Sequence, residues 1–144
     1  MPKPPKPTEN QLQERNTIHA LEELMFSIPE EEREDVDSLI RHFFAPGVYA
    51  RMCILKAGHV YVGKIHKTEH LNIICKGKLS VSTEDGPIHL EGPCVFNARP
   101  GVKKAAYIHE DTWWINIHVT DETDPEKLEE MFIAKDYDEI EYEE

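Results

Sequence analysis

Two histidines stand four residues apart in "GKIHKTEHLNIICKGKLSV" (residues 63–81), His66 and His70, and a third, His118, lies in "WWINIHV" (113–119). Neutral imidazoles that meet at one point offer lone pairs to a metal ion, and zinc and iron accept such a set; nickel is a further candidate. The neighbouring residues allow a second chemistry. Lys64 and Lys104, together with protonatable imidazoles, would form a pocket for a carboxylate or a phosphate. A third arrangement is plain hydrogen bonding of the histidines to Asn72, to Asn116 and to one another, around a water or two. No serine or cysteine nucleophile motif is present. "GKIHKTEH" lacks the Gly-x4-Gly-Lys-Ser/Thr pattern of a phosphate-binding loop, which excludes nucleotide hydrolysis by that route.

Strands must bring these residues together. Alternate side chains of a strand share a face, so Lys64 goes with His66, and His70 with Asn72. In "WWINIHV", Trp114, Asn116 and His118 share one face, expected to line a cavity mouth; Trp113, Ile115, Ile117 and Val119 share the other, expected to fill the core. A register slip of one residue would exchange these faces. His59 and His89 lie beside turns and His19 and His42 on helical segments, where surface or packing roles are expected. His109, beside Glu110-Asp111, counts only if its loop folds over the pocket.

The chain divides by composition. Residues 1–15, with four prolines in the first seven positions, read as an extended proline-rich arm. Residues 16–47 read as a helical segment. "NTIHALEELMFS" carries the stripe Ile18, Leu21, Leu24, Met25 behind a cap at Asn16 or Thr17, and "PEEEREDVDSLIRHFF" makes a second helix with acids in its first turns. Residues 48–120 hold seven or so short strands, broken at Lys76-Gly77, Glu84–Pro87, Gly92-Pro93 and Glu110-Asp111, the pattern of a sandwich or barrel. Residues 121–135 form a C-terminal helix with Asp124 as cap, Pro125 first, and Leu128, Met131 and Phe132 as its apolar stripe. Residues 136–144 are an acidic tail.

At 144 residues one domain is expected. No apolar run approaches the ~18 residues of a spanning helix, and "MPKPPKPTENQ" has no apolar core of a secretory signal. A cytosolic product without a membrane partner follows. The net charge of −12 argues against broad nucleic-acid binding. The acid concentrates in 29–37 and 136–144, read as solvated, self-repelling segments, or as a tail that docks on a basic partner. Three widely spaced cysteines, Cys53, Cys75 and Cys94, support neither a disulfide framework nor a structural zinc site.

The strand block resembles a cupin. That family's first motif opens on a glycine, carries two alternate histidines and a glutamate, and closes on a glycine. Here these positions fall on Gly58, Lys64, His66, His70 and Gly77. "ARPGVKK" (98–104) matches the turn of the second motif with Gly101, and its histidine position falls on Lys104. The resemblance implies a mainly β, small single-domain cupin-like β-barrel (double-stranded β-helix or jelly roll) with N-terminal and C-terminal helices. It implies metal only weakly, because protonated Lys64 and Lys104 have no lone pair to give. "FAPGVYAR", "GKIHKTEHLNIICKGKLSV", "PGVKKAAYIHEDTWW" and "DETDPEKLEEMFI" are also similar to small cupin-like proteins encoded in tailed-phage and prophage genomes. This implies a homo-oligomer or other phage subunits as partners, and the infected host's cytoplasm or the virion as location.

Three functions follow. The first is a non-enzymatic binding or structural component of phage type, virion-associated or assembly-related, with no cofactor. The second is a metal-dependent cupin enzyme of isomerase, epimerase or dioxygenase type. In it His66, His70 and His118 hold zinc, iron or nickel, and Lys64 or Tyr107 acts on substrate protons. The third is a protein that sequesters a small anionic ligand beside Lys64 and Lys104.

Overall fold

The computed structural model describes residues 3–144. The first helix, α1 (Glu9–Phe26), begins inside the stretch expected to be an extended arm, well before Asn16. The cause is local. Thr8 accepts a hydrogen bond from the Gln11 backbone while the Gln11 side chain accepts one from Thr8 N (2.8 Å), a capping box that satisfies two otherwise unpaired donors.

Residues 29–44 do not form the expected second helix. Short 3₁₀ turns cover Glu30–Glu32 and Val36–Leu39, and β1 (Ile40–Ala45) follows. The acidic run has no apolar stripe to bury, whereas the β-branched and aromatic residues of "IRHFF" suit a strand with a partner. That partner is β2 (Val48–Leu55), reached through Pro46-Gly47, where Gly47 takes φ 75°.

The remaining strands are β3 (Val60–Val62), β4 (Ile65–His66), β5 (His70–Thr83), β6 (Gly86–Glu91), β7 (Cys94–Ala98) and β8 (Ala105–Val119). Helix α2 (Pro125–Phe132), capped by Asp124, and β9 (Ile133–Ala134) complete the set. The protein is thus mainly antiparallel β with a few helices. Seven strands form one sheet in the order β1-β2-β8-β5-β6, with β3 also on β8 and β7 also on β5; β4 pairs with β9. Among the described residues no pairing joins β1 back to β6 or β7, so strand pairing does not close the expected barrel. Other elements cover the inner face. Leu128 and Phe132 of α2 pack on Tyr49, and Ile65, Ala134 and Ile140 form a neighbouring cluster.

Two expected strand breaks are absent. Lys76-Gly77 lies within β5 and Glu110-Asp111 within β8, and the two long strands pair along their length. An irregularity in the pairing lies between Ile74 and Leu79, where β8 spends one residue more than β5, from Trp114 to Ile108. Even-numbered residues of β5 therefore face inward before it (His70, Asn72, Ile74) and odd ones after it (Leu79, Val81). Gly77 adopts φ 113°, and a Cβ there would lie 2.1 Å from Thr112 Oγ1, so only glycine fits the bend.

The sheet's inner face is apolar at one end and polar at the other. Leu55, Ile74, Leu79, Val81, Ile108 and Trp114 make the core, each full burial contributing about 1.5–3 kcal/mol. Toward the other end the register aligns Tyr49 with His118, and Arg51 with Asn116 and Asn72. The other face of "WWINIHV", expected to fill the core, does not do so: Trp114, Asn116 and His118 are buried, while Trp113 and Val119 are exposed and Ile115 and Ile117 half-exposed. The outer face carries apolar rows four strands wide, Phe43–Ala50–Ile117–Leu71, which ends on Asn97, and Met52–Ile115–Ile73–Val95, which begins at Arg41.

The acidic tail does not float free. Ile140 is buried, Glu143 N donates to Pro4 O (2.9 Å), and the Arg15 guanidinium lies 4.0 Å from the Tyr137 ring centre and donates to the Tyr142 hydroxyl (2.9 Å). Arg15 also pairs with buried Glu84, at the turn between β5 and β6, where Arg99 holds both Glu84 (3.2 Å) and Asp85. Two arginines thus neutralise the carboxylates that join helix, turn and tail.

Candidate functional site

The structure brings His66 (β4), His70 (β5) and His118 (β8) together, although they come from three strands. Ring centres are 4.3 Å apart for His66–His70, 4.8 Å for His70–His118 and 5.6 Å for His66–His118. The rings lie near-parallel or tilted by at most 30°. Phe132 of α2 stacks on the far side of His118 at 4.2 Å, and Tyr49 sits 6.0 Å from His118. The Tyr49 hydroxyl shares a hydrogen bond with His42 Nδ1 (2.7 Å), which places His42 at the margin of this aromatic column.

The three histidines differ in their bonding. His70 Nδ1 donates to Thr68 O (3.0 Å) and its Nε2 accepts from Asn116 Nδ2 (3.2 Å), so both ring nitrogens are committed. His66 Nδ1 and His118 Nδ1 are buried without a partner, as is Asn72 Nδ2, whose Oδ1 accepts from Trp114 Nε1 (2.8 Å). Unpaired polar atoms are costly inside a protein, and three in one region mark a place built to meet something polar.

Burial decides the charge state here. It pushes His66 down to about 2 and His118 down to about 4, and repulsion from neighbouring imidazoles and from Arg51 adds to this. His70 is lowered chiefly by burial as well, against the pull of the Thr68 carbonyl. All three are neutral at pH 7. Lys104 is lowered to about 8, by burial and then by Arg99, and still carries most of its charge at pH 7. Its charge opposes protonation of His66 and His70, and that of Arg51 opposes protonation of His66 and His118; the register sets Arg51 opposite Asn116, two residues from His118. Among the described residues neither Arg51 nor Lys104 belongs to an ion pair. Arg51 Nη1 donates to Cys53 Sγ (3.2 Å), and burial raises that thiol.

A cleft of about 440 Å³ is lined by His70, His118 and Phe132, by Thr68, Glu69 and Asn97, and by Leu71, Ile117 and Val119. Asn72 and Asn116 lie on the inner face beside the column. Lys64 lies outside: it is exposed and paired with Glu129 of α2. Tyr107 and His109 belong to the other half of β8, and Ser80 Oγ bridges His109 Nε2 (2.6 Å) and His89 Nδ1 (2.8 Å) there. His59 pairs with Glu34 and His19 with Glu23.

Both ring nitrogens of His70 are engaged, with Thr68 O and with Asn116 Nδ2. No group of three or more metal-ligating side chains stands in coordinating geometry among the described residues. Sequence reasoning missed Arg51. The alternation Tyr49, Arg51, Cys53, Leu55 in β2 carried the signal, but only the pairing of β2 with β8 shows that this face is the inner one.

No family model matches the sequence, and no curated protein matches it. Among solved structures the chain is similar to a cupin-2 domain containing protein from Shewanella frigidimarina (14% identity, 66% of this chain and 88% of that one, TM-score 0.47). It is also similar to the EutQ protein of Clostridium difficile (12% identity, 66% and 81%, TM-score 0.48). A third likeness is to KdgF from Halomonas sp. (19% identity, 62% and 87%, TM-score 0.46).

Proposed function

We propose that this chain is a cupin-type, non-enzymatic binding protein that holds a small anionic ligand, a carboxylate or phosphate ester, at the polar end of its inner face. The observation that carries this reading is the pair Arg51 and Lys104. In a protein of net charge −12, two cations that belong to no ion pair among the described residues act electrostatically on the neutral histidines, and Arg51 stands opposite Asn116 in the sheet. The cleft reaches His70 and His118, and an anion that passes beyond them toward Arg51 and Lys104 would gain two charge-assisted contacts, with the unpartnered nitrogens of His66, His118 and Asn72 as further partners. The proton-handling residues of the enzyme alternative, Lys64 and Tyr107, lie away from the column.

Isothermal titration against a panel of small carboxylates and phosphate esters tests the reading. Arg51→Met and Lys104→Met each weaken binding at least tenfold, while Lys64→Ala leaves it unchanged. Failure of every anion to bind below millimolar concentration, or binding by both methionine variants as tight as that of the parent, rejects the pocket. The phage setting rests on the sequence resemblance alone. Within it the protein acts in the host cytoplasm or as a virion component, and mass spectrometry of purified virions distinguishes the two.

A further inference from the structure

We propose that His89, His109 and Glu91 hold one divalent cation of the zinc or copper type on the outer face of the sheet, in the half away from the histidine column. Two ring nitrogens already converge there. Ser80 Oγ lies 2.6 Å from His109 Nε2 and 2.8 Å from His89 Nδ1. A hydroxyl has one proton to give, so it donates to one ring and accepts from the other. The same two nitrogens, each bearing its lone pair in the right tautomer, are the atoms a borderline metal ion takes. Bonds from imidazole to zinc are about 2.0–2.1 Å long. For an ion seated at the hydroxyl's position, each ring advances by less than about 1 Å.

The irregular pairing of β5 with β8 accounts for the convergence. The register steps from Lys78↔Glu110 to Leu79↔Ile108, so His109 is a residue of β8 with no partner on β5. An extra residue of this kind bends its strand and re-aims a side chain. His109 thereby reaches Ser80, whose direct opposites are Tyr107 on β8 and His89 on β6. Glu91 follows His89 by two residues on β6 and shares its face. His89, His109 and Glu91 all border one hollow of about 260 Å³, together with Lys78. Glu91 is loosely held: its side chain is 68% exposed, and Lys78 Nζ stands 3.8 Å from it and 3.7 Å from Glu110. Exposed pairs at such distances are weak. A cation at the two rings can therefore draw the Glu91 carboxylate to itself and leave Lys78 to Glu110. Two imidazoles, one carboxylate and a water complete a tetrahedral zinc sphere. The site forms only when that carboxylate turns, and the net charge of −12 favours the arrival of a cation.

Calorimetric titration of the chelator-washed full chain with zinc chloride tests the proposal. One equivalent binds with a dissociation constant of roughly 10 micromolar or below. His89→Ala and His109→Ala each weaken binding at least tenfold, and Glu91→Gln weakens it at least threefold. These three side chains are exposed, so the variants fold, as near-ultraviolet dichroism verifies. His19→Ala, an exposed histidine on α1, leaves zinc binding unchanged. A measurement on the unaltered chain stands beside the variants: the paramagnetic resonance of one equivalent of copper(II) shows coupling to two ring nitrogens. Absence of stoichiometric binding at 100-micromolar zinc overturns the proposal, and so does binding indifferent to both alanine substitutions. Zinc binding that is lost in His118→Phe and kept in the two alanine variants places the ion among the buried histidines and overturns it equally.

Discussion

One sheet presents two faces with opposite rules. The inner face carries Tyr49, Arg51, His70, Asn72, Asn116 and His118 at one end, and the outer face carries Phe43, Ile73, Val95, Ile115 and Val119. A protein selected for stability alone would exchange them. Burying histidines as neutral rings forfeits their hydration, and leaving valines in water forfeits their burial. The difference teaches that the apolar side of an amphipathic strand need not be the interior. The inner face departs from the expected polarity at the end where the proposed anion would compensate.

Substitutions that exploit the contrast should rank clearly. Ile74→Ala, at the fully buried apolar end of the inner face, costs about 2–5 kcal/mol in urea unfolding. Val95→Thr on the outer face changes monomer stability by less than about 0.5 kcal/mol. Equal losses at the two positions would erase the distinction between the faces. Gly77→Ala comes next, at roughly 1–3 kcal/mol: both its positive φ and its contact with Thr112 oppose a side chain, and the bulge it holds sets which residues of β5 face inward.

The response to acid sharpens the contrast further. His66 and His118 ionise in the folded chain at about 2 and about 4, against an ordinary value of 6.5. Below pH 6.5 the unfolded chain binds protons that the folded chain refuses, so stability falls as the pH is lowered toward 4 and continues to fall below it. The melting temperature therefore declines through this range, and His118→Phe, which preserves stacking on Phe132, makes the decline shallower. An unchanged slope in that variant would remove His118 from the account. At the alkaline end, anion affinity weakens as the pH rises past about 8 and Lys104 loses its charge. The smallest effect belongs to Lys64→Ala. Its exposed pair with Glu129 contributes less than about 0.5 kcal/mol, and thermal unfolding of the variant overlays that of the parent.

Much of this organisation was legible in the residues. Period-two alternation marked the strands from Val48 onward, and Asp124-Pro125 marked the start of α2. The spacing of His66, His70 and His118 allowed them to meet, as their ring distances now record. Other features depended on partners remote in sequence. "IRHFF" became β1 because β2 was available to pair with it. The facing of "WWINIHV" followed from what covers the sheet, namely Phe132 and Leu128, and no property of those seven residues shows where that cover lies. Arg51 was hidden for the same reason. The capping box of α1 was written in "TENQ" but was masked by the prolines ahead of it.

The backbone contact between Pro4 and Glu143 brings the two extremities of the described polypeptide side by side, where Arg15 and Tyr142 also meet. A short peptide joining them, with the chain reopened at Pro46-Gly47, would yield a circular permutant in which every inner-face contact is retained. A fusion partner attached at either extremity would occupy one and the same corner of the protein.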